Sequence, residues 1–111
     1  MDFDAVVGLA TDLPEVNVST SYGTPALKVR KKLLCRMWPD ENVLVLRIDE
    51  DEKEAVLQGD PATFFVTDHY RGHPYLLVRL DAVDADELSE LLAEGWYEVA
   101  TPTMRRTFDE R

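Results

Sequence analysis

Apolar positions along the chain switch between two spacings, and each switch marks an element. Phe3, Val6, Val7 and Ala10 recur at three and four, predicting a first helix that Asp2 or Asp4 caps and that runs to about Asp12, where Leu13-Pro14 stops it. Glu15 to Ser21 reads as extended, with Val16 and Val18 alternating against Asn17 and Ser19 as a candidate short edge strand. Tyr22-Gly23-Thr24-Pro25 carries turn chemistry. Ala26 to Arg30 then alternates Leu27 and Val29 against Lys28 and Arg30, the period of two of a strand with one wet face. Lys31-Lys32 forms the turn, Leu33 to Trp38 the returning strand, and Val43 to Ile48 a third strand after the polar Pro39 to Asn42 turn. Such short connections predict an antiparallel meander.

Asp49 followed by Glu52, and Asp84 followed by Glu87, each match a capping box. The first opens a short helix with Ala55, Val56 and Leu57 as its packing face, ended by Gly59-Asp60-Pro61. The second opens a helix through Leu88, Leu91 and Leu92 to about Glu94, with Gly95 as its end. Between them, Phe64 to Val66 and Tyr75 to Leu80 form a hairpin around the loop Asp68 to Pro74. Met104 to Arg111 is a last helical turn or a frayed tail.

The order is thus helix, three strands, helix, two strands, then one or two helices. Adjacent strands without strict βαβ alternation argue α+β, an antiparallel sheet of about five strands with helices on one face and the other face left wet. At 111 residues the expectation is one domain, 1–111, and a monomer.

Charge changes this picture more than composition does. The chain carries −10, which argues against a phosphate backbone as partner, yet residues 16–39 contain no carboxylate and five cations, leaving −15 on the rest. The single cysteine, Cys35, forms no internal disulfide and is expected as a small buried hydrophobe. Without a basic, apolar leader at the N-terminus or a run of about 20 apolar residues, the expectation is a cytoplasmic protein with no membrane association. On that expectation the sequon Asn17-Val18-Ser19 has no consequence.

His69 and His73 stand four apart beside Asp68, but Gly72 and Pro74 make the segment a loop, so neither a metal site nor a cofactor is expected there. No Gly-rich phosphate loop, GxSxG or HExxH is present, and no enzymatic activity is expected. Two surfaces remain. One is the basic hairpin, with Lys28, Arg30, Lys31, Lys32 and Arg36, which suits a phosphate backbone or alternatively guards a sheet edge. The other is an aromatic rim of Trp38, His69, Tyr70, His73 and Tyr75, which suits a protein partner or a small ligand.

Tyr22 to Lys32, Asp60-Pro61-Ala62-Thr63-Phe64-Phe65, His69-Tyr70, Val78-Arg79-Leu80 and Glu87 to Leu92 together resemble the MmcQ/YjbR-like family over nearly the whole chain. The resemblance implies a small α+β domain with helices on an antiparallel sheet, and a DNA-binding protein without a settled activity. Arg105 and Arg106 supply basic charge near Thr101-Pro102-Thr103, where that family has a basic Pro-Lys turn. The leading expectation is a non-enzymatic module that binds DNA weakly and salt-dependently through the hairpin cations with Arg105 and Arg106. The alternative is an interaction module that uses the wet sheet face and the His-Tyr loop.

Overall fold

The computed structural model describes residues 1–110, so Arg111, assigned above to the tail, lies outside the described residues. The elements are α1 (Phe3–Ala10), β1 (Val16–Ser21), β2 (Thr24–Val29), β3 (Lys32–Met37), β4 (Val43–Arg47), α2 (Glu50–Gly59), β5 (Phe64–Phe65), β6 (Tyr75–Arg79), α3 (Ala85–Val99) and α4 (Pro102–Asp109). The fold is α+β. Its antiparallel sheet has six strands rather than about five, in the order β1-β2-β3-β4-β6-β5. The sixth is the candidate edge strand, which pairs with β2 over its whole length, from Val16 opposite Val29 to Ser21 opposite Thr24.

All four helices pack on one face of the sheet. Val6 of α1, Val56 of α2, Leu88, Leu92 and Trp96 of α3 and Met104 of α4 share one core with Leu27, Leu44, Leu46, Leu76 and Val78. Between β2 and β3 the register slips, so that Leu27 faces Cys35 while Lys28 faces Leu33. The extra residue, Leu34, is a bulge that lets Leu34 and Cys35 both enter this core. Burial pushes the Cys35 thiol up to about 12.

Several boundaries differ from the sequence reading, among them Thr24-Pro25, read as turn but part of β2, and Val66, which lies beyond β5. The hairpin turn is Arg30-Lys31, and Lys32 already belongs to β3. Helix α3 runs through Gly95 to Val99 because that glycine is the close-approach point to the sheet, where a Cβ would lie 2.6 Å from the Arg47 carbonyl oxygen. Helix α4 is a full element, capped by the Thr101 hydroxyl on the Met104 amide, with Pro102 in its first turn.

The buried side chain of α2 is Lys53, alongside half-buried Val56 and Leu57, while Ala55 is exposed. Asp49 and Asp84 are the N-caps of α2 and α3, accepting from Asp51 N and from Asp86 N and Glu87 N, which is the aspartate half of each expected capping box.

Candidate functional site

The face of the sheet away from the helices is not left wet. The β5–β6 loop folds over it and inserts Tyr70, which with Val43, Val45 and Leu77 makes a second, smaller core edged by Trp38, Phe65 and Tyr75. Hydrogen bonds from Lys53 Nζ to the carbonyls of Tyr70 (3.1 Å) and His73 (2.6 Å) hold the loop from the α2 side. On the sheet side, Arg36 donates to the Tyr70 hydroxyl. Tyr70 is therefore a buried plug rather than an exposed contact residue. His69 packs edge-on against it at 4.8 Å, and both His69 and His73 are exposed. No group of three His, Cys, Asp or Glu among the described residues is placed to hold a metal ion.

Around this plug runs a band of rings and arginines. The Arg36 guanidinium lies 5.3 Å from the Tyr22 ring centre, 5.9 Å from that of Trp38 and 6.0 Å from that of Tyr70. Tyr70 meets Trp38 and Tyr75 edge-on, each at 5.9 Å. Arg47 lies over Tyr75 at 5.9 Å, and Arg79 over Phe65 at 4.0 Å, beside a hollow of about 490 Å³ that also borders Asn42 and the carboxylates of Glu41 and Asp81. Strand register puts these groups on one face, since Arg36 stands opposite Val45, Arg79 opposite Val43 and Tyr75 opposite Arg47. The six strands together hold Lys28, Lys32, Arg36, Arg47 and Arg79 and no carboxylate. The acids are concentrated on α2 and α3 instead.

The expected row of hairpin cations is divided. Arg36 is only 7% exposed and is spent on the aromatic cluster, because the loop closes over the strand that carries it. Arg30, at φ 56° in the turn, is ion-paired with Glu15 at 2.9 Å, which holds the Glu15 carboxyl below its usual range. Glu15 stands one residue before the acid-free segment. Lys28 lies on the Arg36 face, in line with Ala26 opposite Arg36, whereas Lys32 pairs with Val29 on the helix side.

Lys31 and Lys32 are exposed and border an apolar hollow of about 320 Å³ with Val99, Thr101 and Met104. Arg105 donates to the Tyr97 carbonyl at 2.7 Å and covers that ring, so it ties α4 to α3. Arg106 is exposed in the last turn of α4. The seven cations thus do not form one patch.

Arg47 and Arg79 were missed by sequence reasoning, although each ends an apolar strand as its one cation. Arg47 makes no ion pair among the described residues, and its buried Nε has no hydrogen-bond partner there.

A family model described as YjbR matches residues 11–98. Uncharacterized proteins of Mycobacterium tuberculosis and Mycobacterium bovis are 32% identical over 71 residues, which is 63% of this chain and 55% of theirs, so the match spans about half the length of those relatives. The crystal structure of Deinococcus radiodurans protein DR2400, with family domain DUF419, superposes with a TM-score of 0.78 at 22% identity, covering 96% of this chain and 86% of that one. That likeness is one of fold. No helix among the described residues is long and apolar enough to cross a membrane.

Proposed function

The chain belongs to the YjbR family, and from that premise we propose that it is a non-enzymatic, nucleic-acid-binding module whose contact surface is the helix-free sheet face continued to the hairpin tip. The carrying observation is the segregation of charge, with five cations and no carboxylate on the strands of a chain whose net charge is −10. Phosphate contacts dominate the affinity of such proteins, and an arginine over a ring keeps its charge and N–H groups for phosphate oxygens where they reach solvent. Lys28, Arg47 and Arg79 on that face, with Lys31 at the exposed hairpin tip where it also borders α3 and α4, are the contact residues in this reading. Arg36 orders the face from beneath. The acidic helices α2 and α3 turn the opposite side away from the polyanion.

Fluorescence anisotropy with labelled duplex and single-stranded oligonucleotides, in low salt and at physiological ionic strength, tests the reading. Binding that weakens with salt, and weakens about tenfold further in an Arg47→Gln/Arg79→Gln variant, is expected from the loss of two phosphate contacts. The oligonucleotide is expected to be recovered at full length. Absence of salt-sensitive binding to either form at low ionic strength would falsify it.

A further inference from the structure

Tyr22 is placed against the interests of the fold. It sits with Gly23 in the two-residue loop joining β1 to β2, where Ser21 faces Thr24, and both loop residues have positive φ, 52° and 78°. That is the geometry of a type I′ turn, whose first position favours Asn, Asp or Gly because they tolerate the left-handed region. A tyrosine there is strained, and the residue is 90% exposed, so burial returns little of the cost. Backbone and side chain are both suboptimal at one residue, and such residues concentrate where a protein contacts something else.

The surroundings indicate what that contact is. The Tyr22 ring lies against the Arg36 guanidinium, which also faces half-buried Trp38. The band continues through Tyr70 to Tyr75 and Arg47 with no carboxylate in it. The one acid on the covering loop with a close cation, Asp68, is paired with Arg71 at 3.2 Å. A ring exposed on its outer side and backed by a fixed cation offers a stacking surface for a flat, electron-rich group attached to a negative chain. In a duplex the base faces are occupied by neighbouring bases, so only an unpaired strand can use this surface.

Resting on the nucleic-acid reading above, we infer that Tyr22, beside Arg36, is a stacking site for an unpaired base, and that the protein prefers single-stranded nucleic acid to duplex. The strand passes the β1–β2 turn with a base on Tyr22 and follows the margin of the covering loop, its phosphates on the cations there.

The test compares wild type, Tyr22→Asn and Tyr22→Phe for binding to a 20-nucleotide oligo-dT and a 20-base-pair duplex at one salt concentration, with a thermal melt of each protein. Wild type is expected to bind oligo-dT more tightly than duplex. Tyr22→Asn installs the residue the turn prefers, so its melting temperature is expected to hold or rise while oligo-dT affinity falls about tenfold, the loss of one base–aromatic stack. Tyr22→Phe keeps the ring and the affinity. If Tyr22→Asn binds oligo-dT as wild type does, if it melts lower, or if wild type binds duplex at least as tightly, the stacking site is wrong while nucleic-acid binding stands. No binding to either oligonucleotide overturns both.

Discussion

Lys53 donates from Nζ to the carbonyl oxygen of His73 at 2.6 Å, and the same ammonium reaches the Tyr70 carbonyl at 3.1 Å. A cation from an otherwise acidic helix thereby holds the loop that closes the second core, with Glu50 at 3.9 Å as its one ion-pair contact among the described residues. Two opposing effects attend this 7%-exposed ammonium. Its desolvation is costly, and it is offset by charge-assisted bonds to two loop carbonyls that also accept from the amides of His73 and Tyr75.

The carbonyl side decides the outcome of Lys53→Met. The stem is replaced by one of similar length, and the Tyr70 and His73 carbonyls keep their backbone donors but lose the charge-assisted bonds from Nζ, at about 1.5–3 kcal/mol. The denaturant midpoint is expected to fall, and amides of residues 70–75 to exchange faster than those of β2 and β3. Unchanged exchange in the loop would show that the lysine is not what holds it.

Gly95→Ala sets helix propensity against space. In an open helix the change gains about 1 kcal/mol. Here the new Cβ would meet the Arg47 carbonyl oxygen at 2.6 Å and the Leu34 side chain at 3.2 Å. Backbone oxygen in a central strand yields little, so overpacking wins and a net loss of about 1–3 kcal/mol is expected. A chemical denaturation curve measures it, and a stabilised variant would mean that α3 can slide on the sheet.

These two residues also show where the sequence stopped being informative. Strand alternation and the two Asp caps carried the element order, because those signals are local. Lys53 had a readable sign, since it is spaced three and four from Val56 and Leu57 and thus shares their helix face, but among five acids it passed as solvated charge. Gly95 resembled a helix terminus because the strand it approaches lies 48 residues earlier. Arg36 was expected among the exposed hairpin cations, yet its burial depends on a loop 34 residues later in the chain folding back over it. The ring–arginine band likewise arises from strand register and cannot be read along one strand.

Glu94 supplies a pH prediction. Its carboxyl is pushed up to about 6 by burial, then by a hydrogen bond with Glu52 and by the charges of Glu52 and Glu90. A folded-state value above the ordinary 4.5 means the native protein holds that proton more tightly than the unfolded chain. The resulting stabilisation is complete below about 4.5 and is lost as pH rises through about 6. Glu94→Gln keeps the shape without the charge, so the variant is expected to melt higher than wild type at pH 7.5, with the difference shrinking toward pH 4.5. A gap that does not change with pH would place the effect in packing instead.

The last expectation concerns salt, where the local cations of the sheet face and hairpin tip act against a whole-chain charge of −10. At physiological ionic strength charges are screened beyond about 8 Å, so the acids of α2 and α3 subtract little from contacts made across the sheet. With Lys28, Lys31, Arg47 and Arg79 each neutralising one phosphate, the slope of log affinity against log salt for a single strand is expected near about −2.8. Lys31→Gln removes one contact and should bring the slope to about −2.1. Lys31 is exposed in the turn and absent from either core, so the melting temperature is expected to stay within the range of an ordinary surface change. Lys28→Gln should shift the slope by the same amount, whereas Arg106→Gln, carried outside that face on α4, should leave it unchanged. If Arg106 flattens the slope and Lys31 does not, the strand lies along the C-terminal helix and the sheet face is not its contact surface.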